Sequence, residues 1–153
     1  GIGKGYAVDK MAAVLRDAGI RIALISAAGS SIYAMGAPPA ETKGWYIRIR
    51  DPKDEQKTAG EVWLRDGSLS TSGSYEKFFE ADGKIYSHLM DPRTGYPAQG
   101  MLEVSVLAPQ TIDSEAWTKP CFINGPAWTK EQLPKNFRAL LCEDNGKACY
   151  WVH

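Results

Sequence analysis

The sequence has no long apolar run, no surplus of either charge, and few histidines or cysteines. No apolar stretch approaches the roughly 18 residues of a membrane-spanning helix, so we expect no membrane span in this chain. The 18 basic and 18 acidic side chains balance, which excludes the broad positive surface typical of nucleic-acid-binding proteins. The two histidines, His88 and His153, are too few for a histidine-rich metal site.

The three cysteines are also informative through their spacing. No two of them show the close spacing of a zinc ribbon. Cys142 and Cys149 flank Asn145 and Gly146, a pair typical of a two-residue hairpin turn. That register places the cysteines opposite each other as a hydrogen-bonded pair, with Cα atoms roughly 5.5 Å apart. A disulfide and two free buried thiols are the alternatives, and a disulfide would favour an oxidising compartment.

The length of 153 residues and the 44% content of hydrophobic residues predict one globular domain over residues 1–153. Apolar residues at helical spacing predict a helix over 7–18, which Gly19 ends. A second predicted helix, over 111–125, is interrupted by Pro120, and residues 51–58 are a predicted polar loop. Strands are predicted over 21–26, 45–50, 62–64, 69–72, 85–89, 102–107, 137–142 and 148–152. The pattern predicts an α+β fold with a largely antiparallel sheet.

Two segments could bind a phosphate through N–H groups and hydroxyls. The glycine-rich residues 1–6 precede a helix, whose N-terminus attracts anions. They match neither a Walker motif nor G-x-G-x-x-G, so a plain turn is the alternative. Residues 70–74 are a predicted hydroxyl-rich turn, either a phosphate- or ribose-binding cup or an ordinary loop. The S-x-x-K match at residues 74–77 does not indicate a serine acyl-enzyme, because the chain lacks S-D-N and is too short.

His88 is the candidate for proton transfer. It follows a predicted strand and leads into a turn that contains Pro92 and Gly95. Histidine is the residue type that titrates nearest to neutral pH. Asp91 could either orient the imidazole or bond the amides of its own turn. A structural role for His88 is the alternative to a catalytic one.

Four motifs, taken in order, resemble those of the ApbE family of FAD:protein FMN transferases. Residues 1–9, GIGKGYAVD, are similar to the family's G-x-A-K-G-Y-A-x-D turn and helix, and residues 69–75, LSTSGSY, to its S-T-S-G-S-Y segment. Residues 87–97, SHLMDPRTGYP, match S-H-I-I-D-P-x-T-G-x-P, and residues 104–109, VSVLAP, match V-S-V-x-A-P. The resemblance covers nearly the whole chain but only the C-terminal part of a typical member. It implies a T-fold-like, mostly antiparallel sheet with two or three helices.

The resemblance also implies an activity and a site. FMN would pass from FAD to a threonine hydroxyl of an acceptor flavoprotein, with release of AMP and assistance by Mg²⁺. His88 would be catalytic. The residues implied for FAD binding are Lys4, Ser70, Thr71, Ser72, Gly73 and Leu89, and those implied at the metal site are the Gly1 carbonyl, Glu115 and Lys119.

The resemblance carries expectations about partners and location as well. The expected partners are FAD, an acceptor flavoprotein and a missing N-terminal half, with no nucleic acid. The implied location is periplasmic or exported, with a membrane-anchored lipoprotein as one full-length form.

The metal positions depart from the family pattern. The family's Mg²⁺ ligands are an Asp and, four residues later, a Thr, and Glu115 and Lys119 stand at those positions. A glutamate keeps the carboxylate, but an ammonium has no lone pair for a metal. Pro120 is expected to push Lys119 away from helical dihedral angles. From the residues alone, Glu115 and Lys119 could also be an ordinary ion pair one helical turn apart.

Several interpretations of these two residues follow. The Lys119 ammonium could stand where the metal would be and pair with Glu115 and a phosphate, or the site could be inactive. The second possibility makes the protein a non-catalytic FAD-binding homologue. A purely structural or interaction domain is a third interpretation, and failure to bind any flavin would support it.

Overall fold

The computed structural model describes residues 1–74 and 78–153, which form two helices and twelve strands. Helix α1 spans Gly3–Asp17 and helix α2 spans Thr111–Gln132. The strands are β1 (Ala23–Ala27), β2 (Ser31–Met35), β3 (Trp45–Asp51), β4 (Asp54–Leu64), β5 (Gly67–Gly73), β6 (Phe78–Ala81), β7 (Lys84–Ser87), β8 (Met90–Asp91), β9 (Tyr96–Pro97), β10 (Met101–Ala108), β11 (Arg138–Glu143) and β12 (Tyr150–Val152). The predicted α+β class is confirmed. Neither described helix is long and apolar enough to cross a membrane.

Six strands form one antiparallel sheet in the order β1-β2-β5-β10-β11-β12. Side chains alternate between its two faces. Helix α2 covers one face, where Phe122 packs with Val104 and Val106. The β3–β4 hairpin covers the other face, where Ile49 packs with Leu69. The result is a layer of helices, a central sheet and a hairpin layer, and β5 and β10 lie at the centre of the sheet.

The prediction of a polar loop over residues 51–58 is wrong. Strand β4 begins at Asp54 and pairs with β3 as far as Leu64, with register shifts between Ile49 and Asp51. Pairing across the hairpin satisfies the backbone groups, so polar side chains in this exposed stretch do not prevent a strand. An ion pair between Asp54 and Lys57, 3.0 Å long, lies on its surface.

The predicted interruption of the second helix at Pro120 is also wrong. Helix α2 continues through Lys119 and Pro120, and its one non-helical residue is Gly125, with φ of 77°. The buried residues Thr118 and Cys121, on either side of the proline, hold the helix against the rest of the protein. This tertiary packing outweighs the local preference of a residue that precedes proline. Lys119 therefore lies one helical turn beyond Glu115.

Cys142 and Cys149 form a disulfide. The register of β11 and β12 pairs Leu141 with Tyr150, so the two cysteines are opposite each other as predicted. Their Cα atoms are 4.4 Å apart, which is the spacing of a non-hydrogen-bonded pair and not that of the expected hydrogen-bonded pair. The third cysteine, Cys121, is free and buried.

Candidate active site

A cavity of about 750 Å³ opens between the N-terminus of α1, the sheet, α2 and the β3–β4 hairpin. This volume is typical of a small-molecule site. Of the residues that the sequence implicates, those that line the cavity are Gly1, Lys4, Thr71, Ser72, Gly73, His88, Leu89, Glu115 and Lys119. The fold thus brings residues from three of the four motifs together with Glu115 and Lys119 of α2. Their individual roles remain predictions.

The predicted glycine-rich turn at residues 1–6 is mostly helix, because α1 already begins at Gly3. The reason is its contact with α2. A Cβ atom on Gly5 would lie 2.5 Å from the backbone oxygen of Thr111, so the two helices can approach this closely only because Gly5 has no side chain. At this contact the Gly5 N–H donates a hydrogen bond to Glu115 Oε2, at 2.5 Å. Glu115 therefore caps the first turn of α1.

Asp9 makes the converse contact. Its carboxylate accepts hydrogen bonds from the backbone N–H groups of Thr111 and Ile112, both at 2.9 Å. These are among the N–H groups that a helix cannot satisfy internally. Each helix thus receives at its positive N-terminal end a carboxylate from the other helix. We call the pair of contacts made by Glu115 and Asp9 the reciprocal cap.

Two ammonium groups reach the cavity beside the reciprocal cap. Lys119 Nζ donates to the backbone oxygen of Glu115 at 2.9 Å and lies 3.9 Å from Glu115 Oε1. Lys4 Nζ donates to Ser30 Oγ at 2.8 Å. Burial lowers the pKa of Lys119; the Glu115 carboxylate acts in the opposite direction and the Lys4 ammonium lowers the pKa further. The two cations are thus close enough to repel each other.

The predicted hydroxyl-rich turn at residues 70–74 is strand as far as Gly73, and Tyr75 lies outside the described residues. Ser70 does not line the cavity. Its hydroxyl is buried against Ser114 Oγ, 2.8 Å away, because the alternation of β5 points it toward α2. Thr71 does line the cavity and shares a 2.7 Å hydrogen bond with Ser105 Oγ.

His88 follows β7 at the cavity, with an exposed side chain. The next residue, Leu89, is buried in the core that α2 covers and also lines the cavity. Asp91 accepts hydrogen bonds within its own turn, from the Arg93 guanidinium at 2.7 Å and from the Arg93 backbone N–H at 2.9 Å. These bonds hold the pKa of Asp91 below its ordinary value. The turn contact expected of Asp91 is therefore observed.

Sequence reasoning missed charged residues of the cavity. Arg48, Arg50 and Glu55 reach it from the β3–β4 hairpin. The alternation of apolar and polar residues in β3 predicted a half-buried strand. It did not predict that the polar face would line a cavity. Glu103, 1% exposed, lies in the otherwise largely apolar strand β10. A carboxylate in an otherwise apolar, buried strand is a signal that could have identified it.

A model of the ApbE family matches residues 1–141. The chain belongs to this family. It is 39% identical over 133 residues to the FAD:protein FMN transferase of Treponema pallidum, an alignment that covers 81% of this chain and 36% of that protein. The sequence prediction of the family is confirmed.

Two solved structures of the ApbE family superpose closely on the chain. The ApbE protein of Thermotoga maritima gives a TM-score of 0.86 at 28% identity, over 99% of this chain and 50% of that one. The apo form of the Pseudomonas stutzeri flavinyl transferase ApbE gives 0.80 at 28% identity, over 99% and 47%. The chain thus spans between about a third and a half of the length of these relatives.

The residues around Glu115 do not fit Mg²⁺. One carboxylate oxygen of Glu115 is bonded to the Gly5 N–H, and the other faces the Lys119 ammonium. An ammonium cannot ligate a metal and would repel one placed beside Glu115. Within residues 1–74 and 78–153, no three His, Cys, Asp or Glu side chains converge to hold a metal ion. The donor set at this position suits an ammonium.

Proposed function

We propose that this chain forms the catalytic part of a FAD:protein FMN transferase. The observation that carries the proposal is the convergence of His88, Lys4 and Lys119 on one cavity of about 750 Å³. Cationic groups suit a diphosphate, and an imidazole suits the transfer of a hydroxyl proton. The names of the relatives support the same substrate class.

The proposed reaction replaces the phosphoanhydride bond of FAD with a phosphoester bond to the acceptor threonine. The oxygen of an acceptor threonine forms a bond to the FMN phosphorus of FAD. The bond between that phosphorus and the bridging diphosphate oxygen breaks, and the bridging oxygen leaves with AMP. His88 accepts the threonine proton and can pass it to the departing phosphate. Lys4 and Lys119 stabilise the negative charge that shifts to the leaving group.

The flavin would lie against the apolar part of the cavity. Leu89, Ile123 and Ile47 line it together with the polar residues. An apolar wall beside a few charged groups is the usual composition of a cofactor site. The Arg48 and Arg50 side chains add positive charge from the hairpin, partly offset by Glu55, which lies 4.0 Å from Arg50.

The test is the release of AMP from FAD by the purified protein, measured by chromatography, together with covalent flavin on an acceptor flavoprotein that carries its target threonine. The wild type should produce both. His88→Gln should lower the rate at least about 100-fold, because general acid–base catalysis is worth that much or more. Lys135→Thr, an exposed change outside the cavity, is the control and should retain the wild-type rate.

A second candidate function is FAD binding without turnover. The observation that favours it is Lys119 beside Glu115, where the family resemblance places a metal ligand. FAD binding with no AMP release would establish this alternative. Release of AMP without a flavinylated acceptor would instead indicate hydrolysis of FAD. The absence of any flavin binding would support a structural or interaction domain.

We propose a periplasmic or exported location, which the Cys142–Cys149 disulfide supports because such bonds persist in oxidising compartments. Thiol titration of the unfolded protein, isolated under conditions that block exchange, tests this. One thiol, that of Cys121, is expected. Three thiols would contradict the proposal.

A further inference from the structure

We propose that the Lys119 ammonium takes the place of a divalent cation beside Glu115 and, together with Lys4, binds the diphosphate of the ligand without metal. This rests on the proposed function in so far as the ligand is FAD. It extends that function by assigning the phosphate-binding charge to two side chains of this chain.

Both carboxylate oxygens and the backbone oxygen of Glu115 face a donor group. Its Oε2 accepts the Gly5 N–H at 2.5 Å, its backbone oxygen accepts both the Thr118 hydroxyl at 2.8 Å and Lys119 Nζ at 2.9 Å, and its Oε1 lies 3.9 Å from the same ammonium. The carboxylate therefore holds the end of α1 and the lysine in place. A metal would have to displace both contacts.

Lys119 retains the capacity to bind an anion. An ammonium has three N–H donors, and the Glu115 carbonyl takes one of them. The side chain is 27% exposed, and its open side lines the cavity. Because the helix continues through Pro120, the position of this ammonium is set by the α2 backbone and by its contact with Glu115.

Lys4 supplies the second charge from α1. Its ammonium is held by Ser30 Oγ and faces the same cavity. Lys119 is partly buried and Lys4 is exposed, and an anion bound between the two ammonium groups would relieve the repulsion between them. A diphosphate carries charge on two adjacent phosphates and therefore suits two ammonium groups.

The experiment is isothermal titration calorimetry of the whole chain with FAD, in EDTA and in excess Mg²⁺. Riboflavin, which has no phosphate, and inorganic pyrophosphate are titrated in EDTA. The wild type should bind FAD with the same affinity, within about twofold, in both conditions. Lys119→Thr should weaken FAD and pyrophosphate at least about tenfold in EDTA, since a charge-assisted contact is lost. Riboflavin affinity should not change.

Two further variants separate charge from side-chain shape and position. Lys119→Arg keeps the positive charge in a larger, planar group and should bind FAD more tightly than Lys119→Thr does in EDTA. Lys135→Thr removes the same charge from an exposed position outside the cavity and should have no effect. Circular dichroism checks that each variant is folded. The comparison of wild-type FAD affinity in EDTA with that in Mg²⁺ needs no variant. It therefore tests the proposal even if Lys119→Thr does not fold.

The outcomes distinguish the two proposals. An increase of about tenfold or more in wild-type FAD affinity on adding Mg²⁺, or unchanged FAD affinity of Lys119→Thr in EDTA, overturns the ammonium site and leaves the transferase proposal standing. Binding of pyrophosphate that depends on Lys119, without binding of FAD or riboflavin, supports the ammonium site and overturns the transferase. Absence of binding of any of the three ligands to the wild type overturns both.

Discussion

The two walls of the cavity are built in different ways. The helical wall, formed by α1 and α2, is held by the reciprocal cap, in which Glu115 and Asp9 bond backbone N–H groups of the opposite helix. The hairpin wall, formed by β3 and β4, presents Arg50 and Glu55, whose side chains are 60% and 82% exposed and 4.0 Å apart. The first wall is fixed by buried and partly buried bonds, and the second carries charge on its surface.

Substitutions in the two walls should differ in their effects on stability. Buried charge-assisted hydrogen bonds are strong and costly to break, whereas exposed ion pairs contribute little because water and salt screen them. Substitutions in the helical wall should therefore change both stability and ligand affinity. Substitution of Glu55, an exposed charged residue of the hairpin wall, should change stability little.

The largest effect is expected from Gly5→Ala. Its new Cβ would lie 2.5 Å from the Thr111 oxygen and 2.8 Å from the Ile112 Cα, both backbone atoms that cannot turn aside. The helices must separate, and we expect a loss of about 2 kcal/mol or more in the free energy of unfolding. Urea denaturation measures it, and FAD affinity should fall as well.

Gly3→Ala is the matched control on the same helix. Its Cβ would meet nothing within 4 Å, so alanine's higher helix propensity should leave the protein as stable or up to about 1 kcal/mol more stable. Equal destabilisation by the two changes would show that the close contact at Gly5 does not set the helix packing.

Asp9→Ala comes next in size. It removes the acceptor of two backbone N–H groups at the start of α2, and loss of a helix cap costs about 1 kcal/mol. Asp17→Ala, at the exposed C-terminal end of α1, is the control; it removes a negative charge from the negative end of the helix dipole and should leave the protein as stable or slightly more stable. Urea denaturation of both variants compares them. Similar losses would contradict the reciprocal cap.

Ser70→Ala tests the assignment of this residue to the buried side of β5. Its hydroxyl bonds Ser114 Oγ at 2.8 Å, so we expect a loss of about 1 kcal/mol in the free energy of unfolding. FAD affinity should not change, because Ser70 does not line the cavity. A tenfold loss of FAD affinity in a folded Ser70→Ala variant would contradict this assignment and indicate that Ser70 contacts the ligand.

The smallest effect is expected in the hairpin wall. Glu55→Gln removes the partner of Arg50 in an exposed ion pair and should change the free energy of unfolding by no more than about 0.5 kcal/mol. Urea denaturation at low and high salt measures it. A loss of unfolding free energy as large as that of Asp9→Ala would contradict the proposed difference in stability between the two walls.

Sequence reasoning predicted the fold class and named nine of the residues that line the cavity, because motifs and alternating apolar residues are local signals. It could not predict that Gly5 and Thr111, more than a hundred residues apart, would touch. That contact converts a predicted glycine-rich turn into helix. Tertiary packing also keeps α2 helical at Lys119 and Pro120, although a residue before proline by itself disfavours helical dihedral angles. These two errors therefore occurred where contacts between residues distant in sequence outweighed the local backbone preference.

The most direct test of the account is a crystal structure of the protein grown with FAD and Mg²⁺. The account predicts a FAD diphosphate within hydrogen-bond distance of Lys119 Nζ and Lys4 Nζ, with Glu115 still bonded to the Gly5 N–H and no metal ligated by Glu115. A Mg²⁺ ion between Glu115 and the diphosphate, with the Lys119 side chain displaced, would contradict it.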